Sequence, residues 1–359
     1  MANRNEPIAF VVGVDTHRDT HTAAVVDRLG AQRATTTHAT DLAGYQRLLA
    51  FGRRHAPRHR LWAIEGSGSF GRGLTTYLLE QHETVIEIDR PKRPARRDGA
   101  KSDPLDAVRA AREALARPHV AQPRQRGDRE AIRVLLRTRR GAIDARRRAL
   151  CQLKALLITG PESLRARGRG LTTRELIGRC ARLRATPRQS SEQQATRLAL
   201  RVLARRIIAL DAEAKALYGQ LRVWVRAQAS HLLAEPGIGV LTAAEILCAW
   251  SHPGRLHSEA AFAALAGVAP IPAFSGRVIR HRLNRHGDRQ LNGALHTIVL
   301  SRLSHHAETR RYAARRTQEG KTEREIRRCL KRHLARRLFK LLEGHAKPRE
   351  EYSGPLDAS

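Results

Sequence analysis

Residues 8–15 read I-A-F-V-V-G-V-D, and this apolar run closed by a carboxylate decides the fold of the N-terminal third. A continuous apolar run of this length predicts a buried strand. Further strands are predicted at residues 22–26, 34–37, 61–64 and 85–88, and helices at residues 42–51, 74–79 and 103–115. Three strands, helix, strand, helix, strand, helix is an order that suits an α/β domain of the RNase H type.

The charge of the chain is strongly unbalanced. Its 359 residues include 67 Lys and Arg against 34 Asp and Glu, a formal net charge of +33. The excess is largest in residues 121–230, where 26 basic and 8 acidic residues give +18. An excess of this size predicts a polyanionic partner, and nucleic acid is the obvious one. The composition therefore argues against a small-molecule enzyme.

Cysteine spacing and hydropathy exclude other classes of protein. Cys151, Cys180, Cys248 and Cys329 form no C-x-x-C pair, which argues against a zinc site and against a disulfide framework. The sequence has no leader with a cleavage site and no apolar run of membrane-spanning length. We therefore expect a cytoplasmic protein without a membrane partner.

The middle of the chain has heptad periodicity typical of a coiled coil. One heptad position holds Leu200, Ile207, Ala214 and Leu221, and the other holds Leu203, Leu210, Leu217 and Trp224. Upstream, Leu136, Ile143, Leu150 and Leu157 repeat at the same interval, although Arg139 and Arg146 interrupt the partner position. We predict two long antiparallel helices joined by a connection at residues 161–195. The sequence predicts four parts: an α/β domain at residues 1–122, a coiled-coil region at 123–229, a mostly helical domain at 230–347 and a flexible tail at 348–359.

Four carboxylates of the N-terminal domain are predicted to cluster. Asp15 ends the first strand, and Glu65 ends the fourth, L-W-A-I-E, which is its neighbour in the predicted sheet. Asp103 and Asp106 lie three residues apart in K-S-D-P-L-D-A and so share one helix face. Clustered carboxylates repel each other unless divalent cations neutralise them, so the set predicts a Mg²⁺ site.

Simpler explanations compete for part of this set. The alternative for Asp103 is an N-cap before Pro104, with Asp106 as a favourable first-turn acid. Acids at the ends of buried strands are harder to explain in that way, because burying them without a partner is costly. His17 and His21 follow a strand and are interpreted as incidental.

Ser275 lies in a turn, A-F-S-G-R, at the start of an arginine-rich loop. Arg277, Arg280, Arg282 and Arg285 follow it within ten residues. Arginines can clamp a scissile phosphate and hold the charge that builds when a serine hydroxyl attacks it. Taken alone, however, the pattern is more typical of a turn that touches backbone phosphates.

A second turn, P-G-I-G at residues 236–239, is followed by T-A-A-E-I-L and resembles a helix-hairpin-helix. The backbone N–H groups of Gly237 and Gly239, at the start of a helix, would bind DNA phosphates. A plain helix–helix turn is the alternative.

In their order and spacing, these motifs resemble the transposases of the insertion-sequence 110 family, which are related to the Piv-type DNA invertases. V-G-V-D-T-H, A-I-E-G-S-G and K-S-D-P-L-D-A resemble the RuvC-like domain of that family, with its D-E-D-D acids. P-G-I-G-V-L-T-A-A-E-I-L, A-G-V-A-P, F-S-G-R and R-H-G-D-R-Q-L resemble its C-terminal transposase domain.

The resemblance implies a mechanism. Asp15, Glu65, Asp103 and Asp106 would be catalytic acids that bind Mg²⁺, and Ser275 would attack a DNA phosphate to form a covalent phosphoserine link. A structured RNA from the element would pair with donor and target DNA. The coiled coil would help the protein assemble as a dimer or tetramer. Strand exchange and the reverse attack would then reseal the DNA without ATP.

Two other readings of the sequence remain open. A metal-dependent, structure-selective nuclease, such as a Holliday-junction resolvase, would use the same four acids with water as the nucleophile, and Ser275 would be dispensable. A non-catalytic nucleic-acid-binding scaffold would need the charge and the coiled coil but not the acids.

Overall fold

The computed structural model describes residues 9–57, 59–88, 102–117, 121–124, 126–184, 189–272, 281–282, 284 and 287–345. This part of the chain divides into two compact units. One takes in residues 9–124 and Trp250–Ala261, and the other takes in Arg126–Ala249 and Phe262–His345.

The first unit is built on a five-stranded mixed sheet. Its elements are β1 (Phe10–Thr16), β2 (Thr20–Asp27), β3 (Gln32–Ala39), α1 (Leu42–His55), β4 (Arg60–Glu65), α2 (Arg72–Glu80), β5 (Val85–Ile88) and α3 (Asp103–Ala116). The strand order is β3-β2-β1-β4-β5, with β1, β2 and β3 antiparallel and β4 and β5 parallel to β1. The element order and the adjacency of β1 and β4 are those predicted from the sequence for an RNase H-type domain.

The sheet carries a different apolar core on each face because successive side chains of a strand point to opposite sides. On one face, Val12 and Val14 of β1 pack in a cluster with buried leucines of α1 and α2. On the other face, Val11 packs in a cluster with Ala107 and Ala111 of α3. Residues 10–14 of β1 are apolar throughout because both faces of the sheet are covered there.

The rest of the described chain is helical apart from one short hairpin. Its elements are α4 (Asp128–Thr159), α5 (Glu162–Gly168), α6 (Thr173–Ala181), α7 (Ser191–Leu233), α8 (Val240–Trp250), α9 (Glu259–Leu265), β6 (Ile271–Pro272), β7 (His281–Arg282), α10 (Arg289–His305), α11 (Ala307–Gln318) and α12 (Glu323–Gly344). The connection predicted at residues 161–195 contains the two short helices α5 and α6. Within the described residues, no helix is both long enough and apolar enough to cross a membrane.

The helices α4 and α7 run antiparallel along each other. Gln228 near the end of α7 bonds to Asp128 at the start of α4, and Arg146 in the middle of α4 pairs with Asp211 in the middle of α7. Beyond the end of α4, a Cβ on Gly160 would meet the side chain of Thr196, near the start of α7. The predicted antiparallel pairing of two long helices is therefore present.

The buried side of α7 follows one of its two predicted heptad positions, while the buried side of α4 departs from its predicted repeat. Leu200, Ile207, Ala214 and Leu221 are all buried. On α4 the buried line passes through Ala142 and Ala149, whereas Ile143, predicted to lie on it, is 38% exposed. Arg139 and Arg146 interrupt the apolar position of α4, as predicted, but both reach α7. Arg139 lies over the ring of Tyr218, and Arg146 pairs with the carboxylate of Asp211.

Candidate functional site

Two strand ends bring Asp15 and Glu65 together. The strands β1 and β4 pair in parallel, with Val14 opposite Ile64, so the next residue of each strand lies at the same edge of the sheet. The hydroxyl of Thr16 donates to the backbone carbonyl of Glu65 at 2.7 Å and fixes this edge. Asp15 lies four residues after Val11 in β1, so both side chains point to the same face of the sheet. This is the face that α3 covers.

Helix α3 lies unusually close to the sheet beside these acids, because residue 13 is a glycine. A Cβ on Gly13 would lie 2.0 Å from the carbonyl oxygen of Ala107 and 2.6 Å from the backbone nitrogen of Ala111. The helix backbone thus occupies the space that a side chain would need. Its first turn, with Asp103 and Asp106, is thereby brought over the end of β1.

His17 links the strand acid to the helix acid. Its Nε2 lies 3.1 Å from Oδ2 of Asp15 and 3.3 Å from Oδ1 of Asp103. One ligand atom from each of Asp15, His17 and Asp103 can be chosen so that all lie within 4.8 Å of one another, close enough to hold a metal ion. The sequence reasoning set His17 aside. The signal that was available is its spacing, because residues two apart at a strand end share a face.

Burial and neighbouring carboxylates disfavour the ionised form of Asp15. Burial raises the pKa of Asp15, and the nearby Asp106 and Asp103 carboxylates raise it further, against the opposing effect of His17. Asp106 accepts a hydrogen bond from Arg109 at 2.7 Å, one turn along α3. A hard cation at this point would relieve the repulsion that the site otherwise carries.

The N-cap explanation for Asp103 does not match the helix that forms. The N-cap of α3 is Ser102, and Asp103 is already the first helical residue, followed by Pro104 in the first turn. Asp103 and Asp106 are both first-turn acids, and so they interact favourably with the helix dipole. This stabilisation is compatible with metal binding by the same carboxylates.

The serine-loop candidates lie mostly outside the described residues. This holds for Ser275, Arg277, Arg280 and Arg285. Arg282 is described, and it lies exposed in β7, where it pairs with Ile271 of β6.

The turn at residues 236–239 is described, and its two glycines differ. Gly237 has a φ of +79°, and a Cβ there would lie 3.1 Å from the carbonyl oxygen of Ile298 in α10. The N–H of Gly239 donates to the hydroxyl of Thr242 at 3.0 Å. Gly237 therefore allows close packing on α10, while the Gly239 N–H already has an acceptor within the turn.

Comparison with known proteins gives the family. Residues 12–159 match a transposase model of the DEDD type of IS110 elements, and residues 229–314 match the model of the "Transposase IS116/IS110/IS902 family". Together the two matches cover more than half of the chain. The chain is also 28% identical to the "Insertion element IS900 uncharacterized 42 kDa protein" of Mycobacterium paratuberculosis, over 93% of this chain and 96% of that protein. This chain therefore belongs to the IS110 family of transposases, enzymes that recombine DNA.

Proposed function

We propose that this transposase cuts and rejoins donor and target DNA under the guidance of a structured RNA, through a covalent phosphoserine link at Ser275. In this proposal Asp15, Glu65, Asp103 and Asp106 bind Mg²⁺. The observation that carries the proposal is the cluster of Asp15, His17 and Asp103, which lies beside the end of β4 where Glu65 follows Ile64.

The donor set fits a divalent metal. Carboxylate oxygens are the ligands that Mg²⁺ and Mn²⁺ prefer, and a single imidazole nitrogen beside them is also acceptable to Mn²⁺. The pKa of Asp15 is raised mainly by burial and further by the Asp106 and Asp103 carboxylates, and a bound cation would oppose both effects by stabilising the charged form. When bound, the metal supplies polarisation of the phosphate and charge compensation for the leaving oxygen.

The chemistry at the serine is a phosphoryl exchange. The Ser275 hydroxyl attacks a backbone phosphorus and loses its proton, a P–O bond to serine forms, and the P–O bond to the leaving strand breaks. One phosphodiester is exchanged for another, so the reverse attack by a strand end reseals the DNA without ATP. Arg277, Arg280, Arg282 and Arg285 hold the phosphate oxygens and the charge that builds on them.

The basic middle of the chain supports a second nucleic-acid partner. Residues 121–230 carry +18 of the net charge, far more than one phosphate at a catalytic site requires. We assign the guide RNA to this region. We interpret the α4–α7 pair as a coiled coil that assembles a dimer or tetramer, and the turn at residues 236–239 as a helix-hairpin-helix. The division into functional domains at residues 1–122, 123–229 and 230–347 belongs to the same proposal.

A covalent-trapping assay tests the mechanism. Purified full-length protein is incubated with its cognate RNA, Mg²⁺ and labelled donor and target DNA, then denatured and resolved by electrophoresis. Ser275→Ala and Asp15→Asn are compared with two matched controls, Ser304→Ala and Asp19→Asn. The hydroxyl of Ser304 donates to the carbonyl of Leu300 one turn earlier in the same helix, and the side chain of Asp19 is 88% exposed.

The expected result is a protein–DNA adduct that both controls form and that Ser275→Ala and Asp15→Asn lose. Omission of the RNA should abolish the adduct at the programmed site. Cleavage that persists in Ser275→Ala but disappears in Asp15→Asn would instead identify a nuclease that uses water, as in a junction resolvase. Cleavage at the same site without RNA would refute guidance by RNA.

A further inference from the structure

The two segments that lead into and out of residues 273–280 are fixed to each other. The strands β6 and β7 pair antiparallel, with Ile271 opposite Arg282 and Pro272 opposite His281. Farther from residues 273–280 on both sides, the backbone N–H of Asp288 donates to the carbonyl of Leu265 at 2.6 Å. Residues 273–280 are thus attached at both ends to a defined base.

Two glycines bring the backbones of this base into direct contact. A Cβ on Gly287 would lie 2.3 Å from the backbone nitrogen of Gly267 and 2.4 Å from its Cα. Gly267 has a φ of +65°, which disfavours any residue with a side chain. The close approach leaves little freedom for one segment to slide along the other.

Asn292, in the first turn of α10, forms a hydrogen-bonded bridge at this contact. Its Nδ2 donates to the carbonyl of Ala266 at 2.7 Å, and its Oδ1 accepts from Nζ of Lys331 in α12 at 3.0 Å. A carbonyl can only accept, and an ammonium can only donate, so the two partners fix which way the amide points. A chain of hydrogen bonds therefore runs from α12 through α10 to the base of the loop.

The position of Lys331 is energetically unfavourable for a charged side chain. It is half-buried, and burial together with the nearby charge of Arg328 lowers its pKa. Lysine side chains are usually left in solvent, because removing an ammonium from water is unfavourable. Lys331 lies outside the residues that either family model matches, so the family comparison assigns it no role.

We infer that Asn292 and Lys331 are positioning residues of the transposition reaction, which hold the base of the loop that carries Ser275. The inference rests on the proposed function, since there Ser275 is the nucleophile. Neither residue acts on DNA in this assignment. Lys331 orients the Asn292 amide, and the amide holds the Ala266 carbonyl in the base of the loop.

The experiment uses the full-length protein with RNA, Mg²⁺ and DNA, and it measures the single-turnover rate of adduct formation, DNA affinity and melting temperature. Lys331→Met removes the ammonium and keeps the length of the side chain, while Lys331→Arg keeps a cationic donor. Asn292→Asp keeps the size and the acceptor but presents an oxygen to the Ala266 carbonyl. Lys340→Met, an exposed lysine of the same helix, is the matched control for loss of charge.

We expect Lys331→Met and Asn292→Asp to slow adduct formation by about 10- to 100-fold, the effect of displacing a reacting group by about 1 Å. DNA affinity should change no more than in Lys340→Met. Lys331→Arg should restore most of the rate, which a general loss of packing would not allow. Asn292→Asp introduces a repulsion that could prevent folding. In that case the comparison of Lys331→Met with Lys331→Arg decides the test.

The outcomes separate the inference from the proposed function. Normal rates in Lys331→Met and Asn292→Asp, with the adduct still dependent on Ser275, would overturn the inference alone. A slow rate in Lys331→Arg that matches Lys331→Met, and that follows the loss of melting temperature, would show a purely structural role and would also overturn it. Absence of any adduct in the wild-type protein would overturn both.

Discussion

Replacing Gly13 by alanine should damage the acidic site without touching any of its acids. The added methyl group would lie 2.0 Å from the carbonyl oxygen of Ala107 and 2.6 Å from the backbone nitrogen of Ala111. Ordinary contact at the first atom needs about 3.4 Å, so α3 must move away from β1 by roughly 1 Å or more. Asp103 and Asp106 move with the helix, whereas Asp15 stays on the strand.

Two magnitudes follow from this displacement. Forcing a methyl group into a packed core costs about 1–3 kcal/mol of unfolding free energy. A misplacement of about 1 Å between groups that act together lowers a rate by about 100-fold. Since the cost in stability leaves most molecules folded, the loss of rate should greatly exceed the loss of folded protein.

Thermal melting and metal-dependent DNA cleavage measure the two effects on the same samples. Gly68→Ala is the matched control, since Gly68 lies in the same unit and a Cβ there would meet no atom within 4 Å. Gly13→Ala should melt several degrees lower and cleave about 100-fold more slowly, while Gly68→Ala should behave as the wild type. If Gly13→Ala cleaves at the rate of Gly68→Ala, close packing of α3 on β1 is not what positions the acids.

Three further predictions concern the rest of the fold. Arg140→Met should cost about 2 kcal/mol, because it removes the ion-pair partner of the partly buried Glu245 carboxylate, whose pKa burial raises. Adding Glu245→Gln should recover part of that loss in a melting experiment. Ala142→Gln should destabilise the α4–α7 contact by about 2 kcal/mol, whereas Ile143→Gln should change stability by less than about 0.5 kcal/mol, and equal effects would contradict the observed burial of α4. Burial opposes ionisation of Glu83, but guanidinium and indole donors hold its pKa below the ordinary value. The ionised carboxylate therefore stabilises the fold at neutral pH, and this stabilisation is lost as the pH falls through the depressed pKa. Glu83→Gln should lower the melting temperature at pH 7 and flatten the decline of the melting temperature between about pH 5 and pH 3.

The sheet was predictable from the sequence because strand patterns carry their own geometry. An apolar run ended by Asp15 and another ended by Glu65 give both the strands and the edge at which their acids meet, once the order of elements places the two strands side by side. The pair Asp103 and Asp106 follows in the same way from helical spacing. His17 was interpreted as incidental because it follows the strand, although its spacing of two residues from Asp15 places both side chains on one face, and only the packing of α3 shows that it also reaches Asp103.

The long helices show where a periodic pattern falls short. On α7 the predicted heptad position at Leu200, Ile207, Ala214 and Leu221 is buried, whereas the second predicted position, at Leu203, Leu210, Leu217 and Trp224, is only partly buried. On α4 the buried residues include Ala142 and Ala149, and alanine is too common on exposed helix faces to mark a seam. Ile143 was assigned to the buried side of α4 because it is larger and apolar, although it is 38% exposed. Arginines 139 and 146 were taken for interruptions because their partners, Tyr218 and Asp211, lie on another helix.

The base of the serine loop lies beyond any such pattern, and this explains why its positioning residues were not foreseen. Asn292 and Lys331 are 39 positions apart and lie on different helices, so no period of 2, 3.6 or 7 residues connects them. Gly267 and Gly287 meet only because the chain returns on itself through β6 and β7. The local motif around Ser275 is by itself more typical of a turn that touches phosphates, and the groups that would orient the serine are determined by tertiary contact. In the proposed serine mechanism those groups should affect rate far more than binding, and the comparison of Lys331→Arg with Lys331→Met isolates that difference.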